Sequence, residues 1–225
     1  MTTAATVAGI DGWKGAWVAV VLRGEGVAHV VTRRWLRDVL ELLTDAGVVG
    51  VDVPIGLPEA GARRRADEEA RKFIGARRSS VFFSPPSDIL RDAAAMRPAG
   101  VSAQSFALRD AIREAHAIAA EDPRVVEVHP EVSFAAMALE NPAAVEGRSL
   151  ARKRSWNGMQ QRRRLLADAG IEIAPFLGDA GEAAVDDVLD AAAVAWSARR
   201  IAGGHGATLP ADPPLAAGRA VAIHY

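Results

Sequence analysis

Val7-Ala8-Gly9-Ile10-Asp11-Gly12-Trp13-Lys14-Gly15-Ala16-Trp17-Val18-Ala19-Val20-Val21 decides how the rest of the chain is read. An apolar run ends in a single acid, turns past glycines at 12 and 15, and leaves as a second apolar run. Glycine reaches backbone angles that cost other residues, so a tight antiparallel connection is expected here. A carboxylate at the rim of an apolar strand is costly to bury unless a cation pairs with it. Asp11 is therefore the first candidate for chemistry; the alternative is a turn residue that bonds its own backbone.

Outward from this hairpin, Val27–Val31 reads as a third short strand, reached through the turn Gly24-Glu25-Gly26. Thr32 is placed to cap a helix running to about Ala46, in which Trp35, Leu36, Val39, Leu40, Leu42 and Leu43 recur at helical spacing. Val48–Val53 is a buried-type strand that again ends in an acid, Asp52, before Pro54 breaks the chain. A basic helix is expected over 62–74, an ordered loop over 76–86 and a long helix over 102–120. A strand over 125–129 is stopped by Pro130; a short helix through Met137 and a basic linker follow. Asn157 is placed to cap a helix through Ala169. The last long helix starts at Asp179 or Glu182 and runs to about Ile201, ahead of a late strand over 220–224. This order implies an α/β mixed sheet, with antiparallel hairpins on one side of the first strand, parallel strands on the other, and helices on both faces. No repeat or linker divides the chain, so one domain over 1–225 is expected.

Composition narrows the function classes. With 225 residues, half of them hydrophobic and 24% charged, the chain suits a globular protein with a full core. It has no cysteine, which excludes disulfides, thiolate metal sites and cysteine nucleophiles. No apolar run approaches the roughly 20 residues that a bilayer demands. Met1–Thr6 lacks the basic-then-apolar pattern of a signal peptide, so a cytoplasmic protein with no membrane partner is expected. The net charge of −1 conceals segregation. Arg148, Arg152, Lys153, Arg154, Arg162, Arg163 and Arg164 share one acid-free stretch, and Arg63, Arg64, Arg65, Arg71, Lys72, Arg77 and Arg78 form a second cluster. Local patches set the field a ligand meets, so a polyanion partner is one reading and solvated helix faces the other.

The acids form a set. Asp11 follows the first strand, Asp52 ends the fourth, Glu127 lies within the fifth, and the last helix carries Asp186, Asp187 and Asp190. Residues three apart on a helix share a face, which places Asp187 beside Asp190. Carboxylates gathered at neighbouring strand ends repel one another and are tolerated mainly with bound cations. Hard divalent ions favour such oxygen ligands, and two of them about 4 Å apart can hydrolyse a phosphodiester. Each acid has a plainer alternative: Asp187 as a helix N-terminal acid, Glu127 as a strand-edge ion-pair partner.

Five segments, in order, carry a resemblance: Gly9-Ile10-Asp11-Gly12, Val51-Asp52-Val53-Pro54-Ile55-Gly56-Leu57-Pro58, Gly75-Ala76-Arg77-Arg78-Ser79-Ser80-Val81-Phe82, Glu127-Val128-His129-Pro130-Glu131-Val132-Ser133-Phe134 and Asp187-Val188-Leu189-Asp190-Ala191. Together they resemble the domain-of-unknown-function 429 family, predicted nucleases of the ribonuclease H fold. The closing helix is also similar to that of Holliday-junction resolvases. The resemblance implies a ribonuclease H-like sheet and a Mg²⁺ or Mn²⁺ site from Asp11, Asp52 and Glu127 with Asp187 and/or Asp190, acting on DNA or RNA. Where the family often carries a Ser-Lys-Lys-Thr-like run, this chain has Arg152-Lys153-Arg154-Ser155-Trp156-Asn157-Gly158, so only the basic character is carried over, and Lys153 joins the substrate-binding candidates.

Supporting candidates for substrate binding are Arg77, Arg78, Ser79 and Ser80, whose guanidinium forks and hydroxyls suit phosphate, with a loop pinned by arginine–backbone bonds as the alternative. His129 shares a strand face with Glu127 and is read as a ligand, proton shuttle or orienting group, or as structural. Lys14 is read as a phosphate neutraliser or a solvated turn residue. The expected function is a metal-dependent nuclease with catalytic acids Asp11, Asp52, Glu127, Asp187 and Asp190, with a homodimer left open. The rivals are a phosphotransferase or ATPase of actin-like fold, and a non-catalytic nucleic-acid-binding protein of the same fold.

Overall fold

The computed structural model describes residues 5–24, 26–91 and 101–225. Glu25 of the second expected turn and the first four residues, read as carrying no leader, lie outside the described residues. Strands β1 (Thr6–Trp13), β2 (Ala16–Arg23) and β3 (Gly26–Arg33) form an antiparallel meander. Strands β4 (Ala46–Val51) and β5 (Val125–Glu127) extend it in parallel beyond β1, giving the order β3-β2-β1-β4-β5. This is the mixed sheet expected from the sequence. The turn between β1 and β2 is Lys14 and Gly15, both at positive φ (47° and 72°), a backbone whose twist matches that of the paired strands. Gly12 belongs to the strand instead, opposite Trp17.

Seven helices lie among the described residues: α1 (Leu36–Glu41), α2 (Arg65–Phe73), α3 (Ala103–Ala107), α4 (Arg109–Glu121), α5 (Pro130–Glu140), α6 (Trp156–Asp168) and α7 (Val185–Ala202). Several boundaries differ from expectation for local reasons. Thr32 stays in the ladder opposite Val18, so α1 starts after Trp35 and is short. Leu108, at φ −92° and ψ 2°, divides the long helix of 102–120 into α3 and α4. The strand expected over 125–129 ends at Glu127, and Pro130 opens α5, where its missing N–H costs nothing and the His129 side chain caps the helix. Ser155, not Asn157, caps α6 by accepting from the Gly158 N–H at 3.1 Å. Asp179 and Glu182 fall in a 3₁₀ turn, and α7 begins after Ala184.

Strand parity divides the core. Val7, Val18, Val20 and Leu22 face α5, α6 and α7, whereas Ala8, Ile10, Ala19, Val49 and Val51 face α1 and α4. Helix α7 lies closest to the sheet because Gly9 and Gly50, register partners on β1 and β4, leave room for it. A Cβ on Gly9 would fall 2.0 Å from the Ala195 nitrogen, and one on Gly50 2.7 Å from Val194 Cγ1. Glycine facing an alanine-rich helix lets backbone meet backbone, fixing the height of α7 above the sheet. None of the helices is long and apolar enough to cross a membrane among the described residues.

Candidate functional site

Asp11 has the parity of Val7 and Gly9, so its carboxyl points toward α7. Asp52 directly follows β4, where its N–H donates to the Ile10 carbonyl at 2.9 Å. It shares the parity of Gly50 and faces the same side. From above, α7 brings down Asp187 and Asp190, and Asp190 is only 1% exposed. Asp186 and Asp187 stand in the first helical turn, where the helix dipole favours negative charge. The packing of α7 on Gly9 and Gly50 thus gathers four acids from three elements.

Their electrostatics are strained. The Asp11 and Asp52 carboxyls are close enough that each perturbs the other's titration, so their protons come off as a pair. Burial, then Asp52, Asp190 and Asp187, push Asp11 well above the usual carboxylate range. Desolvation takes Asp52 up to about 7 and Asp190 up to about 6, in each case against the pull of Lys153. Burial and the neighbouring Asp186 raise Asp187 as well. Lys153 Nζ donates to Asp190 Oδ2 at 2.5 Å and lies 3.5 Å from Asp186. Despite the cost of its own burial, the ammonium is held well above its ordinary value by Asp190, Asp11 and Asp186. The second oxygen of Asp190, Oδ1, is buried without a hydrogen-bond partner.

The donor set suits a hard divalent cation: four carboxyls, one buried unpartnered oxygen, and raised proton affinities that a stronger positive charge would relieve. Among the described residues no three His, Asp or Glu side chains already stand in metal-binding geometry. The cation that accompanies the acids is the Lys153 ammonium.

Glu127 is not among them. Its register partner is Val51, and it follows the parity of Val125, away from α7. Both carboxylate oxygens are occupied: Oε1 accepts from Arg64 at 2.6 Å and Oε2 from the Ile55 N–H at 2.6 Å. Burial still lifts Glu127 to about 7 against the pull of Arg64. Arg64 also reaches Asp67 at 3.2 Å, so this is a closed, buried ion cluster. A cavity of about 400 Å³ is lined by Asp52 and Asp190 together with Ser80, Glu127, His129 and Glu131.

The model of a family described as a protein of unknown function, DUF429, matches residues 9–215. The chain belongs to the DUF429 family. No curated protein and no solved structure gives a significant match. The matched span runs from β1 past α7 and so contains every acid discussed above.

In this DUF429 protein Arg77, Ser80, His129 and Lys153 line the same cavity as Asp52 and Asp190, whereas Lys14, Arg78 and Ser79 do not. Lys14 is exposed in the hairpin turn, its ammonium 5.4 Å from the Trp13 ring centre. Arg77 is committed to Glu131 at 2.6 and 2.9 Å and to the Ala151 carbonyl at 2.8 Å. Arg78 and Ser79 are exposed, and Ser80 lines the cavity. His129 is half-buried; its Nδ1 accepts from the Glu131 N–H at 3.2 Å and its Nε2 lies 3.3 Å from the Ser80 carbonyl. Burial holds it below the usual histidine value. Reading the sequence left Glu131 without a role, although it anchors Arg77 and the fully buried Arg162, the latter at 2.7 Å. Arg162 carried a signal in the run Arg162-Arg163-Arg164, where it occupies the face shared with Leu165 and Leu166.

Proposed function

We propose that this DUF429 protein is a ribonuclease H-like, Mg²⁺- or Mn²⁺-dependent phosphodiesterase acting on nucleic acid, with Asp11, Asp52, Asp187 and Asp190 as its metal-holding acids. One observation carries the reading: acids from β1, β4 and α7 are packed together with a single ammonium among them, leaving a buried Asp190 oxygen unpartnered. Such a group is costly unless a cation of higher charge is its working partner. A divalent ion bound there supplies Lewis-acid activation of water and stabilises charge on the leaving oxygen. In the reaction, a water oxygen bonds to phosphorus and the bond to the 3′ oxygen breaks. One water proton ends on that oxygen and the other passes to solvent. The raised affinity of the Asp11–Asp52 pair suits it to hold that proton in passing. Lys153 lines the cavity together with Arg152 and Arg154, where an entering phosphate would meet them.

A non-catalytic binding protein of the same fold is favoured by one feature, the direct Lys153–Asp190 bond, which offsets part of the acidic charge without metal. Calorimetric titration with Mn²⁺, followed by a cleavage screen over single-stranded, hybrid and branched substrates, separates the two. The phosphodiesterase reading requires Mn²⁺ binding that is lost in Asp11→Asn, together with Mn²⁺-dependent cleavage. Nucleic-acid binding that survives Asp52→Asn, with no cleavage by wild type, supports the rival.

A further inference from the structure

The cavity beside the acids and the state of the basic segments together bear on substrate size. At about 400 Å³ the cavity lies low in the range of roughly 300–1,000 Å³ found for small-ligand sites. Pro54, Phe82 and Leu108 give it an apolar, partly aromatic wall, while Ser80 and Gln104 add a hydroxyl and an amide. Asp52, Asp67, Glu127, Glu131 and Asp190 line it as acids, and Arg152 lines the same cavity. Arg152 is exposed and pairs with no acid among the described residues. An aromatic wall for a base, polar groups for its edge and a free guanidinium for phosphate, beside acids, match one nucleotide.

Many cations of the basic segments are committed within the chain, and the exposed Arg63, Arg65, Arg78 and Arg163 lie outside the cavity lining. Arg64 and Arg162 are buried on Glu127 and Glu131, and Arg77 shares Glu131. Arg71 donates to the carbonyls of Arg78 and Val81. Lys153 and Arg154 are engaged by Asp190 and Asp186, and Arg164 by Asp168. A protein that grips a long duplex neutralises on the order of 6–10 phosphates with available cations. Within the cavity wall, Arg152 is the cation with no such engagement among the described residues.

Building on the phosphodiesterase reading, we infer that the substrate enters as a single nucleotide unit, free or at a single-stranded end, and not as the interior of a duplex. The test titrates thymidine 5′-monophosphate, a thymidine strand of about ten nucleotides and a duplex of about 20 base pairs against the full chain in Ca²⁺ buffer at several salt concentrations. The monophosphate should displace the strand, and the log–log salt slope should be shallower than about −2, as for one or two phosphate contacts. Arg152→Ala, an exposed position that cannot unfold the chain through lost packing, should weaken both single-stranded ligands about ten-fold, equal to roughly 1.4 kcal/mol. Gln104→Ala, also exposed, should lower affinity for the monophosphate by a smaller factor. Tightest binding to the duplex with a slope of about −6 or steeper, or failure of the monophosphate to displace the strand, overturns the inference. A duplex that is both bound and cut with Mn²⁺ sinks the one-nucleotide substrate and leaves the phosphodiesterase reading standing. Absence of any divalent binding by wild type removes both.

Discussion

Glu131 and Asp52 border the same cavity and titrate in opposite directions. Glu131 is 4% exposed, yet Arg162 and Arg77 hold it below the usual carboxylate range in spite of its burial. Asp52 keeps some surface on the cavity, but its immediate neighbour is another carboxyl, Asp11, and desolvation takes it up to about 7. Burial alone therefore does not distinguish the two; the compensating charge does, since two guanidiniums outweigh desolvation at Glu131 whereas Lys153 alone does not at Asp52. Around Glu131, the turn after α2 and helix α6 deliver two guanidiniums within hydrogen-bonding distance. Around Asp52, β1 and α7 deliver mainly acids. The first arrangement is complete within the chain and reads as architecture, whereas the second is left short of positive charge and reads as a site.

The sharpest way to break that contrast is Glu131→Ala. It strands the Arg162 guanidinium, which is 1% exposed, without its carboxylate. Removing one partner of a buried pair typically costs about 3–5 kcal/mol because the survivor remains desolvated. For a chain of this size that corresponds to a fall in thermal midpoint on the order of 10 °C, measurable by scanning calorimetry. A fall of no more than a degree or two would show that the pairing contributes little and that the contrast with Asp52 is one of appearance.

Asp52→Asn should act the other way, and its signature is in pH. The folded-state pKa of Asp52, about 7, lies above its unfolded value of roughly 3.9. Between those values the folded state keeps a proton that the unfolded state has lost, so stability is greater at the acidic end and falls as pH rises through 7. The asparagine variant has no such loss. Subtracting the two stability curves between pH 6 and 8.5 should give a gap that widens by about 1–2 kcal/mol in favour of the variant. Glu127, His129 and His224, which also titrate away from their ordinary values, are common to both chains and cancel in the difference. Saturating Mn²⁺ should close the gap from the wild-type side only. Parallel curves would mean that Asp52 is not under strain.

The sequence made one half of this comparison legible. Strand ends marked by Asp11 and Asp52, with acids three apart on the last helix, are visible because each breaks an apolar pattern. The sheet order followed from tight turns early in the chain and helical crossovers later. Glu127 broke its pattern in the same way, but its destination depended on register: pairing with Val51 turns it to the opposite face from Asp52. One residue of offset in a parallel pair decides this, and spacing along a single strand does not reveal it. The basic runs were hardest to read. Arg64 and Arg162 lie within strings of arginines whose other members are exposed, and only the fold shows which turn inward. The breaks at Leu108 and Trp35 were hidden too, since helical spacing continues through both.

The smallest effects come from two adjacent cations that reach the same turn of α7. Lys153 is 33% exposed at its side chain and bonds Asp190, which is 2% exposed there; Arg154 is 80% exposed and bonds Asp186. An ion pair in water contributes little because solvent replaces either partner, so Arg154→Ala should leave the urea midpoint indistinguishable from wild type. Lys153→Met removes the ammonium from among the acids. Asp190 can answer by taking up a proton, since burial already places its pKa at about 6, so the loss in metal-free protein should be about 1–2 kcal/mol and not the full cost of a broken buried pair. The decisive quantity is the gain in midpoint on adding Mn²⁺. If the ammonium stands where a divalent ion is wanted, wild type must first displace it, and Lys153→Met should gain more than wild type while Arg154→Ala gains the same. Equal gains in all three chains would place the cation site elsewhere than beside Asp190.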